Sequence, residues 1–387
     1  MTGAPVPAEV FTEVDALVRA GHIADAAERL QDALEGAAAH PLMWLQLAGL
    51  RRALRQPMRA LAAVHAALGL APLDFRALVM RAGLLEQIGD PEAGQAWDHA
   101  LAQRPPGALA GPLAQAVAAG EQCHARWLAA RAGRLDAVLA ADVPDDIDVA
   151  WRIGRFRDNL LRKTRVFHST PTHFHYPGLV EREFHPRDAF PWLARLEGAT
   201  NAIRAEMLAL IASDRAEGVP YVQYAAHEPL DQWRPLNHNR DWTAFHLFDR
   251  GRRVAVNADR CPVTMAVLAD IPQPAIPGAG PNAMFSALAP RTAIPAHVGV
   301  NNARLVCHLP LVVPAGCWFR VGAETRLWQE GQAFVFDDTI EHEAANPSDD
   351  LRVVMIFDVW HPYLSADERA LVTRVMTALD RFNAQPI

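Results

Sequence analysis

A repeat near the N-terminus is the feature that most limits how this chain can fold. The pairs Ala33-Leu34, Ala67-Leu68 and Ala100-Leu101 recur at spacings of 34 and 33 residues. Small residues precede each pair at one fixed distance, at Ala26, Ala60 and Ala93. A period near 34, with small residues where helices touch, indicates helical hairpins that stack on one another. The sequence therefore predicts an all-α N-terminal region.

The repeat resembles tetratricopeptide repeats in degenerate form, with Trp44 and Trp97 at aromatic positions. An unrelated helical bundle is the alternative. Neither arrangement carries chemistry of its own, so we expect this region to bind a protein partner, to support oligomerisation or to act as a brace.

The composition changes near Trp151, where aromatic residues, histidines and prolines become more frequent and alanine becomes rarer. A chain of 387 residues is too long for one ordinary core. We therefore predict an α+β protein with two domains, a helical repeat domain at 1–150 and a catalytic domain at 151–387.

Charge and cysteine use limit the classes of function. The chain has 37 basic and 44 acidic residues, a formal charge of −7, and no basic block that would favour nucleic acid as a partner. It has no long apolar run that would predict a membrane span, and no export signal is evident at its N-terminus. Its four cysteines are widely spaced and form no CxxC pair, which favours a reducing, cytoplasmic location.

Two histidines organise the second region. His297 and His342 are 45 residues apart, among short apolar runs with strand character. These runs are Arg304–Val313, Cys317–Val321, Gln332–Phe336 and Arg352–Trp360. Arg352 is the first residue of the last of these apolar runs, in which a positive charge has no evident structural role. Two imidazoles joined by strand pairing, with an arginine on a neighbouring strand, predict a metal site that takes an anionic co-substrate.

The residue types fit iron(II), which is commonly held by two histidines and a carboxylate. In the common arrangement the carboxylate lies two residues after the first histidine, where this chain has Gly299. Asp338, four residues before His342, could orient a ligand or its water, and Asp337, Glu341 and Glu343 compete for that role. Zinc hydrolysis is the rival chemistry, but it generally needs three protein ligands.

Further donors are expected beside the metal. Arg352 offers a bidentate fork for a carboxylate, and Ser286 could add a hydroxyl from a preceding strand. By the period-two rule, Arg304, Val306 and His308 share one face of their strand. A loop with His168, His173 and His175 lacks the carboxylate or cysteine partners of a built metal site, so we interpret it as a surface or pocket-edge loop.

From about Tyr176 to the C-terminus, the sequence resembles the aspartyl/asparaginyl β-hydroxylase family of 2-oxoglutarate-dependent oxygenases. The matching pieces are Phe285–Leu288, Ile294–Gly299, Asn302–Leu305, His308–Leu311, Cys317–Val321, Phe336–Asp338, Glu341–Glu343 and Asp358–Pro362. The resemblance implies a double-stranded β-helix (jelly-roll) core that uses Fe(II), 2-oxoglutarate and O2.

Carried over by position, the resemblance implies that His297 and His342 bind iron in a family without the usual acidic third ligand. It implies that Arg352 and Ser286 hold the distal carboxylate of 2-oxoglutarate and that His308 makes a second contact. One position departs from the animal members, because Val306 stands where they have a second arginine. Arg304 and Arg320 are the candidate substitutes.

The implied activity is hydroxylation of an aspartyl, asparaginyl or similar acidic substrate, either peptidyl or a small molecule. Arg234, His238, Arg240 and Arg252 are the candidates to meet a substrate carboxylate. Two alternatives stay open, a non-catalytic protein in which repeat and jelly roll bind partners, and a zinc hydrolase.

Overall fold

The computed structural model describes residues 6–35, 40–142, 144–225, 227–228, 230–276 and 278–383, with side chains as far as residue 380. Contacts divide the chain into two compact units, residues 1–161 and 162–387. The sequence places the boundary at 150, but the helix Ile147–Leu160 continues past that point and belongs to the first unit.

The described part of the first unit is helical throughout its regular structure. Its helices are α1 (Ala8–Arg19), α2 (Ile23–Leu34), α3 (Pro41–Ala53), α4 (Pro57–Leu70), α5 (Phe75–Gln87), α6 (Ala93–Ala102), α7 (Gly111–Ala141) and α8 (Ile147–Leu160). Successive helices pack as the hairpins α1–α2, α3–α4 and α5–α6. The recurring alanines, Ala26, Ala60 and Ala93, are all buried. The predicted helical repeat is confirmed.

Each hairpin turns through one residue in the left-handed region. Gly21 and Gly89 have φ of 82° and 70°, and Arg55 occupies the equivalent position of the middle hairpin with φ of 55°. Glycine adopts this conformation without steric cost, whereas arginine does not. The repeat is therefore more regular in the backbone than in the sequence.

The second unit is built on eleven strands in its described residues. They are β1 (Val219–Pro220), β2 (Trp242–Asp249), β3 (Arg252–Arg253), β4 (Ala283–Leu288), β5 (Thr292–His297), β6 (Arg304–Val312), β7 (Trp318–Val321), β8 (Glu324–Leu327), β9 (Phe334–Phe336), β10 (His342–Asn346) and β11 (Arg352–Trp360). The large sheet has the order β1-β2-β4-β11-β6-β9, with β3 beside β2, and the small sheet has the order β5-β10-β7-β8. All the pairs are antiparallel. The predicted jelly roll is confirmed.

Helices cover the outer face of the large sheet. The described helices of this unit are α9 (Leu193–Gly198), α10 (Thr200–Ile211), α11 (Ala255–Ala258), α12 (Pro262–Ala269) and α13 (Ala366–Asn383), with 3-10 turns at Arg187–Ala189 and Asp231–Trp233. The sequence predicts one amphipathic helix over Trp192–Ala212, whereas the structure has two that meet at Ala199. Gly198 weakens the helix there, and the Thr200 hydroxyl donates to the carbonyl of Glu197 at 2.7 Å.

Alternation along the large sheet decides which residues face the site. Leu305, Cys307 and Leu309 of β6 pack in the core formed with α9, α10 and α12. Their neighbours Arg304, Val306 and His308 line a cavity on the opposite face. Successive side chains of a strand point to opposite faces, and β4 and β11 divide their residues in the same way. The cavity therefore receives its polar groups from every second residue of adjacent strands.

Candidate active site

Two imidazoles meet where β5 and β10 pair. His297 ends β5 and His342 begins β10, and the two residues are directly opposite each other in the antiparallel register. Their ring centroids are 4.1 Å apart. The register shifts immediately after His342, and an irregularity of this kind redirects side chains at functional sites. Strand pairing thus joins the two histidines that the sequence separates.

Both rings are prepared to act as neutral ligands. Nδ1 of His297 lies 2.8 Å from the carbonyl of Pro295, and Nδ1 of His342 lies 3.1 Å from that of Ile340. A carbonyl only accepts, so each Nδ1 carries the proton and leaves the lone pair on Nε2. Burial lowers the pKa of His297, and burial together with the neighbouring His297 holds the pKa of His342 well below its usual range.

Arg352 is a buried cation whose guanidinium no carboxylate meets in the described residues. Only 2% of its surface is exposed, and its Nε has no hydrogen-bond partner in the part of the chain that the structure describes. One terminal nitrogen donates to the carbonyl of Ser286 at 3.4 Å, and the guanidinium lies 4.6 Å from the ring centroid of Trp328. Burial lowers the pKa of Arg352 to about 10, which still leaves it charged at neutral pH. An unpaired buried charge is costly, so the position suits an anionic ligand.

Two more groups complete this end of the cavity. The Ser286 hydroxyl is fully buried and accepts a hydrogen bond from Trp242 Nε1 at 3.0 Å. His308 lies on β6, opposite Ile356 of β11, and its buried Nδ1 has no partner in the described residues. Burial, followed by the charge of Arg352, holds the pKa of His308 well below its usual range. A neutral imidazole, a hydroxyl and a guanidinium therefore converge on one pocket.

Asp338 occupies the space where a side chain at position 299 would lie. A Cβ added to Gly299 would overlap the Asp338 carboxylate, and the Gly299 amide donates to the Asp338 carbonyl at 2.6 Å. Arg304 holds this carboxylate at 3.0 Å and reaches Asp358 at 3.3 Å. Burial raises the pKa of Asp338, while Arg304 opposes the shift. Oδ1 of Asp338 has no partner in the described residues, so a carboxylate oxygen is available beside the histidine pair.

These groups line one cavity of about 1050 Å³. Its wall includes the paired histidines, Ser286, Arg352 and Asp338. Among the described residues, no set of three or more histidine, cysteine or acidic side chains is arranged to hold a metal. The three-ligand site that a zinc hydrolase needs is therefore not found in that part of the chain.

Residues 197–362 match the family model described as aspartyl/asparaginyl beta-hydroxylase. We refer to residues 197–362 as the β-hydroxylase family region. The match covers the strands that carry both histidines, Ser286, His308 and Arg352, so the β-hydroxylase family region contains the whole polar end of the cavity.

Curated relatives carry the same family name or a related one. The Homo sapiens aspartyl/asparaginyl beta-hydroxylase is 35% identical over 156 residues, 40% of this chain and 20% of that protein. Aspartate beta-hydroxylase domain-containing protein 2 from Rattus norvegicus is 30% identical over 226 residues, 56% of this chain and 63% of that protein. The Rhizobium tropici ornithine lipid ester-linked acyl 2-hydroxylase is 35% identical over 179 residues, 46% of this chain and 59% of that protein. The chain thus spans less than two thirds of each of these relatives.

Solved structures resemble the two parts separately. The Sgt2 TPR domain from Aspergillus fumigatus has a TM-score of 0.27 and 18% identity, covering 37% of this chain and 89% of that chain. A Cupin_2 domain of a transcriptional regulator from Enterobacter cloacae has a TM-score of 0.19 and 12% identity, covering 21% of this chain and 81% of that chain.

The predicted substitutes for a second co-substrate arginine are both engaged elsewhere. Arg304 pairs with the two buried aspartates, and Arg320 contacts Glu341 at 3.0 Å and Glu343 at 2.5 Å. Arg304 lines the cavity beside Val306, whereas Arg320 is not part of its lining. Within the β-hydroxylase family region, Arg304 is therefore positioned to hold the carboxylates of Asp338 and Asp358.

Asp337 lies outside the cavity lining, and its Oδ1 accepts from the amide and hydroxyl of Thr339.

The four residues predicted to meet a substrate carboxylate, Arg234, His238, Arg240 and Arg252, all lie outside the cavity lining. His238 contacts the carbonyl of Tyr224 at 3.0 Å, and the exposed Arg252 lies 3.6 Å from Asp249. Of the predicted loop histidines, His173 lines the cavity, whereas His168 pairs with Glu181 at 3.1 Å.

Aromatic and amide side chains occupy the wall instead. The sequence stretch Tyr221–Leu247 mixes aromatic and polar residues and predicts a lining of the substrate cleft; its Tyr221, Gln223, Gln232, Trp233 and Trp242 line the cavity. Sequence reasoning did not single out Asn301, and it missed Asp358, for which a signal existed. Asp358 follows the cavity-facing Arg352 by an even number of residues on β11.

Within the described residues, no helix combines the length and the apolar character that crossing a bilayer requires.

Proposed function

We propose that this protein is an Fe(II)- and 2-oxoglutarate-dependent hydroxylase. The observation that carries the proposal is the buried Arg352, which meets no carboxylate in the described residues and lies in the same cavity as His297 and His342. A carboxylate ligand would satisfy the guanidinium, and two neutral imidazoles suit iron(II).

The residues fit both groups. His297 and His342 would hold Fe(II) through Nε2, because each Nδ1 is committed to a backbone carbonyl. Arg352 and Ser286 would hold the distal carboxylate of 2-oxoglutarate, and His308 would contact the molecule nearer the metal. When bound, Fe(II) and 2-oxoglutarate supply the oxidation by O2 that C–H hydroxylation requires, with succinate and CO2 as co-products.

The protein's own contribution is orientation and exclusion of water. Arg304 fixes Asp338, whose free Oδ1 can accept a hydrogen bond from water near the histidines. Trp233 packs against His297 with ring centroids 5.0 Å apart and restricts that ring from the cavity side. Preorganised polar groups of this kind avoid rearrangement during the reaction.

The substrate we propose carries an aspartyl, asparaginyl or similar acidic group, in a peptide, a protein or a small molecule. One relative is named for aspartyl and asparaginyl residues and another for an ornithine lipid, so both kinds of compound belong in an assay. We also propose that the helical unit offers a surface for a protein partner and that the enzyme acts in the cytoplasm.

The direct test is turnover. The protein is loaded with Fe(II) without oxygen, mixed with 2-oxoglutarate and then given O2, and succinate is measured with aspartyl and asparaginyl peptides or acylated amino acids. We expect His297→Ala and His342→Ala each to lower succinate formation more than about 100-fold, since losing even an outer partner of a metal ligand costs 10–100-fold.

His168→Ala is the matched control, because this exposed histidine pairs with Glu181 and does not line the cavity. It should leave turnover unchanged. Turnover that survives in both cavity variants would exclude the two-histidine iron site.

A further inference from the structure

The cavity is longer than the co-substrate that we propose for it. Arg352 begins β11, Asp358 lies six residues further along the same strand, and both line the cavity. Each strand residue adds about 3.4 Å, so the two positions are about 20 Å apart. A five-carbon dicarboxylate has only four C–C bonds of about 1.5 Å each, and its carbon chain cannot span that distance. A dicarboxylate held by Arg352 therefore leaves the cavity end near Asp358 for another molecule.

The polar side chains at the end of β11 bind one another. The side-chain and backbone amides of Asn282 both donate to Oδ2 of Asp358, at 2.8 and 2.9 Å. Oδ1 of Asp358 lies 3.3 Å from Arg304. The side-chain oxygen of Asn282 accepts from the backbone amide of Arg250 at 2.8 Å. Asn282 and Asp358 thus have protein partners, and neither requires a polar ligand.

Apolar side chains from three separate elements line the same end of the cavity. Phe174 comes from the segment that precedes β1, Ile276 from the loop before β4, and Met376 from α13. Ile276 belongs to one hydrophobic cluster, and the other two side chains pack against it. Met284 and Ile356, which are directly opposite each other on β4 and β11, extend this apolar surface along the cavity. This part of the wall can therefore bury an apolar group.

Hydrogen bonds fix Phe174 beside the loop that follows His297. The amide of Phe174 donates at 3.2 Å to the carbonyl of Val300, three residues after His297. Two residues further on, the Tyr176 hydroxyl donates to Glu368 of α13 at 2.9 Å. The segment is thus attached to the loop after a proposed iron ligand and to the helix that carries Met376. An apolar chain along this wall leads from the cavity end toward the proposed metal site.

We infer that the cavity end near Asp358 is a subsite for an apolar chain of the substrate, with Phe174, Ile276 and Met376 as its wall. The substrate is then an acidic compound with an apolar chain beside the acidic group, either an acyl chain or an apolar residue of a peptide. Phe174 and Met376 lie outside the β-hydroxylase family region, so that region alone does not define the subsite. The inference rests on the proposed function, because it takes Arg352 to be occupied by 2-oxoglutarate.

The test measures binding without turnover. Dissociation constants are determined without oxygen, on protein loaded with Fe(II) and 2-oxoglutarate, for N-acyl aspartates from acetyl to decanoyl. A second series consists of short aspartyl peptides in which the neighbouring residue is alanine, norvaline or norleucine. Burial of one methylene group strengthens binding by up to about fourfold, so we expect at least about twofold for each added methylene over part of a series.

Chain-length dependence in either series supports the subsite, and the series that shows it identifies the source of the chain. Affinities that do not rise with chain length in both series, or the absence of binding by every member, would overturn the inference.

Met376→Gln replaces an apolar wall residue with a polar one of similar length. It should leave the affinity for the shortest member of the responding series within about twofold of wild type, and it should remove at least about fivefold of the gain that the longest chain provides. Val375→Thr is the matched control, because Val375 is exposed on the same helix and does not line the cavity. It should preserve the gain. An unchanged gain in Met376→Gln, or an equal loss for short and long chains, would overturn the inference.

Phe174→Gln is a second variant, in case Met376→Gln folds poorly. It should reduce the same gain, and an unchanged gain would count against the subsite independently. A wild-type protein that binds no 2-oxoglutarate would instead contradict the proposed function. A wild-type protein that binds 2-oxoglutarate, but binds short and long chains equally, would contradict only the subsite.

Discussion

Arg51 in the helical unit and Arg352 in the β unit are both almost fully buried, with 1% and 2% of their surface exposed. Their surroundings differ. Arg51 donates to Glu28 at 2.8 Å, Gln31 at 2.5 Å and Gln56 at 3.1 Å, whereas Arg352 has one carbonyl at 3.4 Å and the face of an indole. Nε of both arginines lacks a partner among the residues that the structure describes, so the difference lies in the terminal nitrogens.

This contrast separates a structural cation from the cation that we propose binds a ligand. The terminal nitrogens of Arg51 have carboxylate and amide partners within the helical unit, and these contacts connect α2 with α3 and the start of α4. Arg352 has no carboxylate partner among the described residues, which is why we propose that an anionic ligand meets its charge. Burial alone does not distinguish the two arginines, whereas the presence of an acidic partner does.

Arg304 is the most demanding test of the contrast, because it lies in the cavity and yet pairs with two carboxylates as a structural cation does. Arg304→Met would leave Asp338 and Asp358 buried without their cation. We expect the free energy of unfolding of the β unit to fall by about 3–5 kcal/mol, the cost of breaking a buried ion pair, as measured by denaturant unfolding.

Arg291→Met is its control, because Arg291 and Asp349 form an exposed pair that should contribute less than about 1 kcal/mol. Equal losses in the two variants would mean that the buried pairs of Arg304 are no stronger than a surface contact.

Arg51→Met should destabilise the helical unit by about 1–3 kcal/mol, because the amide oxygens of Gln31 and Gln56 lose their donor. Hydrogen exchange in α2 and α3 measures the loss locally. Arg29→Met, which removes the exposed pair with Glu13, should change exchange little. An equal increase in the exchange rate in both variants would show that Arg51 stabilises this unit no more than an exposed ion pair does.

In the absence of ligand, Arg352→Met should have the smallest effect on stability. Its free energy of unfolding should lie within about 1 kcal/mol of the wild-type value or above it. Replacing a poorly compensated buried charge with an apolar side chain is often neutral or stabilising. Thermal unfolding without metal or 2-oxoglutarate measures it. A loss as large as that of Arg304→Met would identify Arg352 as structural after all.

Regular patterns in the sequence predicted much of this fold. The strand expected at Arg352–Trp360 has those bounds in the structure, and the shared face of Arg304, Val306 and His308 follows from period two. The spacing of about 34 residues predicted the helical hairpins. Each of these signals is a local, periodic pattern, so the sequence alone is enough to predict the corresponding strand or helix.

The remaining features depend on contacts that no local pattern encodes. The opposition of His297 and His342 needs the register of β5 with β10, and the available charge of Arg352 depends on which acids are near it in three dimensions. The single helix predicted over Trp192–Ala212 was wrong, because a hydrophobic pattern conceals the effect of Gly198, where the first of two helices ends. The residues around 221–241 are mostly irregular, so no period could show which side chains face the cavity.

Binding of 2-oxoglutarate to the Fe(II)-loaded protein without oxygen tests the account most directly, by calorimetric titration of wild type, Arg352→Met and Arg51→Met. Truncating one partner of a buried charge pair costs about 2–5 kcal/mol, so Arg352→Met should bind at least about 30-fold more weakly. Arg51→Met should bind like wild type. An Arg352→Met protein with wild-type affinity, or a wild-type protein that binds no 2-oxoglutarate, would contradict the account.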